Sequence, residues 1–461
     1  MTGPASTGCR RLSAALLAAL WLLGTSAVAP ATELQTASLP TDRLIRPSGD
    51  IAGLVVLLSD AAGWSPAEEA ASQALAAEGA LVIGVDLPSY YAALRRETRD
   101  CLYLIADVEK LSKEIHRLEG LQTYHPPLLA GWGEGASLAL AMTAQSPQAT
   151  ISETVAVDPG APVPLQTPLC TPAPKTPVPG GIVYGLTSGA LPQPVSIAFS
   201  RQAGPEGRAQ AAALKASHPD IVITDGAGAA ADLVTDQLRA ASLRHMKTAA
   251  PLDLPIVVLD AEPVYDTLAV IYSGDGGWRD IDQKLGAHLQ EAGVPVVGVD
   301  ALRYFWSEKS PEQTAADLTR ILAVHKARWK VRKVVLVGYS FGANILPATY
   351  LRLPQADRQA ITLLSLLALS HAADFEIALT GWVGIPGSAK HGDPVDHLNG
   401  IEPVKIQCIE GKDDPENACP ALRPRLDEGV EIITRDGGHH FDGDYRALSA
   451  FILQRLGAPL P

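Results

Sequence analysis

The chain contains itself twice. Gly53 to Pro147 can be laid over Leu268 to Pro354 with the same special residues in the same order. The first copy opens LVVLLSDAAGW and the second LAVIYSGDGGW, which pairs Trp64 with Trp278. AEGALVIGVDLPSYY then matches EAGVPVVGVDALRYF without a gap, pairing Gly79 with Gly293, Asp86 with Asp300 and Tyr90 with Tyr304. PPLLAGWGEGASLAL follows against KVVLVGYSFGANILP. Short apolar runs align by chance, but Trp, Gly, Asp and Tyr in one order at nearly one spacing do not. The pattern predicts a duplicated domain.

Each copy repeats one local grammar: a short apolar run ends in Gly, Asp or Ser, and a helix-compatible segment follows. Leu54–Leu58, Leu81–Val85, Leu128–Ala130 and Thr154–Val157 are the expected strands of the first copy, with further runs at Pro194–Phe199 and Ile221–Thr224. Ala269–Tyr272, Val294–Val299, Lys333–Val337 and Leu363–Leu369 are those of the second. Continuous Val, Ile and Leu runs mark strands covered on both faces. Alternation with helices implies mostly parallel sheets with right-handed crossovers. Segment 159–181, rich in Pro and Gly, reads as a loop or insertion.

The 461 residues suit two such domains and more. Arg10 and Arg11, the apolar run Leu12–Gly24 and Ala29-Pro30-Ala31 have the layout of a cleavable export signal. The division expected is therefore a leader over 1–31, a first domain over 32–250 and a second over 251–461, with Ile256–Leu259 opening the second. Export implies the bacterial periplasm. A formal charge of -13 gives nucleic-acid binding no electrostatic support. In an oxidising compartment the four cysteines beyond the leader can pair. Cys408 and Cys419 flank one short loop and are the expected disulfide, leaving Cys101 with Cys170.

Gly338-Tyr339-Ser340-Phe341-Gly342 has the form G-x-S-x-G. It lies between the apolar run VVLV and a helix-compatible ANILPATYL, the strand–turn–helix setting of a nucleophile elbow. The fold class this implies is a tandem of α/β-hydrolase-like domains, with Ser340 as nucleophile. In that fold the acid and then the histidine follow the serine along the chain. Gly411-Lys412-Asp413-Asp414 follows a strand at Val404–Ile409, and Asp414 is the preferred acid with Asp413 as alternate. Asp436-Gly437-Gly438-His439-His440-Phe441 follows a strand at Glu431–Thr434, and His439 is the preferred base with His440 as alternate. A histidine pair also suits a metal, but no further ligands stand at useful spacing, and neither metal nor cofactor is expected. The oxyanion donors expected are the Phe341 N–H and a backbone amide near Asp275 or Gly276.

The first copy reads Gly131-Trp132-Gly133-Glu134-Gly135 at the elbow and Ala61-Ala62 where the second has Asp275-Gly276. Gly133 stands where Ser340 does. Asp158 and His218 then have no nucleophile to serve, and the first copy is expected to be catalytically degenerate.

YSGDGGWRDID, VGVD.LRYFW, GYSFGANILP and GGHHFDGDY closely resemble the VirJ/AcvB family of bacterial virulence proteins, most specifically from Thr267 to Tyr445. The resemblance implies periplasmic hydrolysis of lysyl-phosphatidylglycerol to phosphatidylglycerol and lysine, with Ser340, Asp414 and His439 in the family's catalytic positions. The implied partner is an aminoacylated phospholipid at the membrane surface, with secretion-machinery proteins as further candidates. Asp275 and Asp442 are the acids best placed by sequence to meet the lysyl ammonium, with Trp278 beside them. Phe305, Trp306 and Trp382 suit either the mouth of the site, resting on lipid, or the core. Two other readings stay open: an esterase or peptidase of another substrate, and a non-catalytic scaffold for a secretion apparatus.

Overall fold

The structure is a computed structural model that describes Met1 and residues 38–228, 230–246, 252, 254–377 and 389–457. The expected leader, most of the stretch between the copies and Trp382 lie outside these residues.

In chain order the first copy forms β1 (Arg43–Ile45), β2 (Gly53–Leu58), β3 (Ala80–Val85), β4 (Leu128–Trp132), β5 (Glu153–Val157), β6 (Lys175–Val178), β7 (Gly181–Tyr184), β8 (Val195–Phe199) and β9 (Val222–Asp225). The second forms β10 (Ile256–Leu259), β11 (Thr267–Tyr272), β12 (Val296–Val299), β13 (Lys333–Tyr339), β14 (Ile361–Leu367), β15 (Ile406–Gly411) and β16 (Glu431–Arg435). Two seven-stranded sheets result, ordered β1-β3-β2-β4-β5-β8-β9 and β10-β12-β11-β13-β14-β15-β16. The two orders are the same once the hairpin β6–β7 is set aside. That hairpin lies within and just beyond the Pro- and Gly-rich segment read as an insertion. The duplication extends to the edge, where β1 and β10 each pair antiparallel with their neighbour while the other pairings within each sheet are parallel.

The central parallel strands are largely apolar because helices cover both faces. Every residue of β3, β11 and β12 is buried. Local chemistry starts the helices where the pattern asks. Ser65 and Glu68 make a reciprocal capping box at the first helix of copy one. Ser310 caps the helix Pro311–Trp329, which has proline in its first turn.

The lobes share packed side chains and form one compact body. Tyr124 of the first lobe belongs to the core of the second, its ring 5.0 Å from that of Trp306. The Trp306 indole N–H donates to the Leu121 carbonyl at 2.9 Å. Phe305 and Trp306 are fully buried, so both are core residues.

His116 stands in this interface at 1% exposure. Its Nε2 accepts the His125 N–H at 3.1 Å, so Nδ1 carries the proton and donates to the Ser112 carbonyl at 2.7 Å. Protonating Nε2 would displace its donor in a dry site. Burial accordingly holds the imidazole down at about 4. The unfolded chain binds that proton near pH 6.5, so the contribution of His116 is complete above that pH. It is lost as pH falls from 6.5 toward 4, by on the order of 3 kcal/mol. Urea midpoints at pH 7 and 4.5 should therefore differ in the wild type and differ less in His116→Asn, where the half-buried His125 and the buried His325 still contribute. Glu153 titrates in a lower window. Burial works to raise its carboxyl, but hydrogen bonds from His245, Arg244 and Ser196 outweigh it and hold it at about 2.

Candidate active site

β13 ends at Tyr339, and the helix Phe341–Arg352 begins one residue later. The residue between, Ser340, sits at φ 52°, ψ -113°. Holding a side chain there costs about 1–3 kcal/mol and sets Oγ out from the sheet. The flanking glycines make the turn possible. A Cβ on Gly342 would lie 2.1 Å from the Tyr272 carbonyl oxygen, and one on Gly338 would lie 2.5 Å from the Ala343 nitrogen.

Two loops beyond β15 and β16 complete the arrangement. His439 Nε2 lies 2.8 Å from Ser340 Oγ, and its Nδ1 lies 2.8 Å from Asp414 Oδ2. The Asp414 side chain is 3% exposed, and its other oxygen accepts the Glu416 N–H at 3.1 Å. The loops touch because Gly411 has no side chain: a Cβ there would meet the Gly438 oxygen at 2.1 Å. The alternates are placed elsewhere. Asp413 is exposed, and His440 Nδ1 lies 2.9 Å from the Tyr339 hydroxyl. Cys408 on β15 is bonded to Cys419, closing the loop that carries Asp414. A bridge of this span stabilises by roughly 3 kcal/mol. Cys101 and Cys170 are bonded in the first lobe.

Ser340, Phe341, His439 and Asp275 line a cleft of about 480 Å³. Asp374, Glu376 and Glu416 bring three more carboxylates to it, and His371 lies on its wall. Asn344 and Ser370 clasp one another beside Ser340, with Asn344 Nδ2 donating to Ser370 Oγ at 2.7 Å and the Ser370 N–H returning to Asn344 Oδ1 at 2.9 Å. Under the Ser273–Trp278 loop, Asp282 accepts the Gly274 N–H, and burial holds its carboxyl well above the ordinary range.

Three sequence expectations fall outside this cleft. Trp278 is 4% exposed, wedged against Gly298, and borders a separate cavity of about 550 Å³ between the lobes. Asp442 is packed against Gly437, where φ is +85°. Gly276 faces the Arg279 guanidinium, 2.6 Å from where a Cβ would stand. Glu416 went unread in the sequence. Its place two residues beyond Asp414, in a loop closed by the disulfide, was the available signal.

The first lobe keeps the turn and has exchanged its contents. Gly133 has φ 57°, ψ -120°, nearly the angles of Ser340. A Cβ on it would lie 2.0 Å from Asp60 Oδ1. That same oxygen accepts the Glu134 N–H at 2.9 Å, the amide equivalent to Phe341 N–H. Asp60 thus fills the space of the missing serine and occupies the matching backbone donor. Asp158 is committed to the Ser200 N–H and hydroxyl, and His218 Nε2 lies 2.9 Å from the Thr187 carbonyl.

A parallel sheet with this strand order, a serine on a strained strand-to-helix turn, and acid and histidine following in chain order define an α/β-hydrolase fold with a Ser–His–Asp constellation in its second copy. Residues 266–459 match the model of a family described as bacterial virulence protein (VirJ). The match spans the second lobe. Among solved structures it is similar to Est1E from Butyrivibrio proteoclasticus, at 14% identity and TM-score 0.32 over 44% of this chain and 94% of that one. Proline iminopeptidase from Mycobacterium smegmatis gives 12% identity and TM-score 0.31 over 44% and 94%. TT1662 from Thermus thermophilus gives 15% and 0.33 over 45% and 95%. No curated protein matches the chain.

Proposed function

We propose that this protein is a serine hydrolase that removes the lysyl group from lysyl-phosphatidylglycerol on the periplasmic side of the membrane. The observation that carries the reading is the Ser340–His439–Asp414 chain of two 2.8 Å contacts at a cleft to which Asp275, Asp374, Glu376 and Glu416 bring carboxylates. In this reading Ser340 Oγ attacks the ester carbonyl while His439 Nε2 takes its proton. Asp414 holds the imidazole and stabilises the imidazolium. Phe341 N–H and the Asp275 N–H receive the oxyanion. His439 then protonates the departing glycerol oxygen, leaving a lysyl ester on Ser340 that water cleaves by the reverse proton path. Two disulfides suit an oxidising compartment, as does the match of the second lobe to a bacterial virulence protein family. Among the described residues no helix is long and apolar enough to cross a membrane.

The charge of the cleft supports a cationic acyl group. Asp275 follows β11 and Glu416 follows β15, on either side of Ser340 in the strand order. Asp374 already receives the Ala389 and Lys390 N–H groups, and Glu376 pairs with Lys390 at 3.5 Å. One charge-assisted contact to an ammonium contributes about 1.5–3 kcal/mol, roughly a tenfold to hundredfold preference over a neutral aminoacyl group. Lysyl-, alanyl- and plain phosphatidylglycerol at equal concentration in mixed micelles test this. The lysyl ester should be cleaved fastest, and Asp275→Asn or Glu416→Gln should narrow its lead over the alanyl ester. Equal rates on both esters would remove the charge argument, and released fatty acid would make the protein a lipase.

A further inference from the structure

We infer that the degenerate lobe is a positioning element for the second lobe's cleft, acting through one stripe of one helix. This rests on the reading of Ser340 as nucleophile. On the helix Ile105–Leu118, Glu109, Lys113 and Arg117 recur at every fourth position and so share a face about 12 Å long. Both ends of the stripe reach across the interface, and each holds a different wall of the cleft.

At one end, Glu109 Oε1 receives the Arg279 Nη1–H at 3.1 Å and the Lys113 ammonium at 2.6 Å. Arg279 also donates to Thr150 Oγ1 at 3.3 Å. The first lobe thereby fixes the guanidinium that packs against Gly276, in the turn that carries Asp275 to the cleft. At the other end, Arg117 donates through Nη1 to the Trp306 carbonyl at 2.7 Å and through Nη2 to the Ile377 carbonyl. Its guanidinium lies 3.9 Å from the centroid of the Trp306 ring, and Glu376 Oε1 is 3.7 Å from Nη1. Glu376 and Ile377 are themselves cleft residues. Planar donation to two carbonyls with stacking is arginine chemistry that lysine reproduces only in part. The helix thus grips the Asp275–Gly276 turn with its acid and the Glu376–Ile377 wall with its arginine. A fixed carboxylate and a fixed guanidinium, rather than a nucleophile, are what the degenerate lobe supplies.

The two ends act on different steps. Releasing Arg279 loosens the turn expected to receive the oxyanion and should lower the chemical rate. Releasing Ile377 and Glu376 loosens the wall that seats the substrate and should raise KM. In the full-length protein, Glu109→Ala should slow labelling by a fluorophosphonate roughly tenfold, because misplacement by a fraction of an ångström is enough for that loss. Arg117→Ala should raise KM for p-nitrophenyl butyrate by about the same factor with kcat little changed, and Arg117→Lys should fall between. Rates are taken per fluorophosphonate-titrated site, well below each variant's unfolding temperature. Glu109→Gln and Arg117→Lys serve where the alanine variants do not fold. Unaltered kcat, KM and labelling per titrated site in all four variants would reduce the stripe to a stabilising contact and overturn the inference. Labelling that persists in Ser340→Ala would instead overturn the reading of the nucleophile.

Discussion

Ser340→Ala is expected to lower ester hydrolysis by roughly 10⁴- to 10⁶-fold, about 5–8 kcal/mol of transition-state stabilisation, while the protein stays folded. Alanine keeps Cβ, so the backbone cost at φ 52° is unchanged and nothing packed around the turn moves. The residue lost is the only one whose oxygen lies within hydrogen-bond reach of His439 Nε2 among the described side chains. A fluorophosphonate should modify the wild type at Ser340 alone, as mapped by mass spectrometry of the labelled peptide. An adduct in the first lobe, or wild-type turnover by the variant, would sink the assignment. Ser340→Gly should be equally inactive but slightly more stable, because glycine relieves the strain; the first lobe has made that exchange at Gly133.

The second large effect follows from comparing the lobes. Asp60 in the first corresponds to Gly274 in the second, just as Gly133 corresponds to Ser340. The pairs are reciprocal: where the loop carries a carboxylate the elbow has no side chain, and where the elbow carries a hydroxyl the loop is bare. Gly274→Asp should set a carboxylate and the Ser340 side chain in competition for one space beside the Phe341 N–H, because in the first lobe a Cβ on Gly133 would lie only 2.0 Å from Asp60 Oδ1, the oxygen that accepts the Glu134 N–H. An acceptor in place of a free donor opposes the negative charge that the reaction develops. Loss of one oxyanion donor alone lowers kcat by about 10²–10³, and a resident carboxylate should exceed that. Gly274→Ala is the control. Its Cβ would rest 3.2 Å from the Tyr339 ring and 3.9 Å from Ser340 Cβ, a crowding that should cost far less. Hydrolysis and thermal unfolding of both variants decide the matter. A Gly274→Asp protein that labels at the wild-type rate would show that the loop carboxylate does not reach the oxyanion amide.

The fold was legible in the amino-acid sequence, and so was the elbow. The duplication is written in residues that chance does not repeat at one spacing, because each packs on a fixed partner: Trp64 and Trp278 each fill the space above a bare strand glycine, Gly84 and Gly298. The elbow was legible because only glycine fits at 338 and 342, and the order serine, acid, histidine follows from the order of the strands. What a local pattern cannot resolve is which of two adjacent side chains points inward. Asp413 and Asp414 share a loop, as do His439 and His440, and a turn sends neighbours in different directions. Only the contact of Gly411 with Gly438, a meeting of two loops distant in sequence, decided for Asp414 and His439 as the pair that joins Ser340. The same limit misdirected the expectations for Trp278 and Asp442, close to the site along the chain but turned into the core and against Gly437. It also hid Glu416 and the reach of Arg117. Glu109 and Arg117 on a surface-like helical stripe look in sequence like any solvated charges. They become part of a cleft only because the two lobes pack that face against the second sheet's loops, and packing between distant segments is the one thing that local periodicity does not encode.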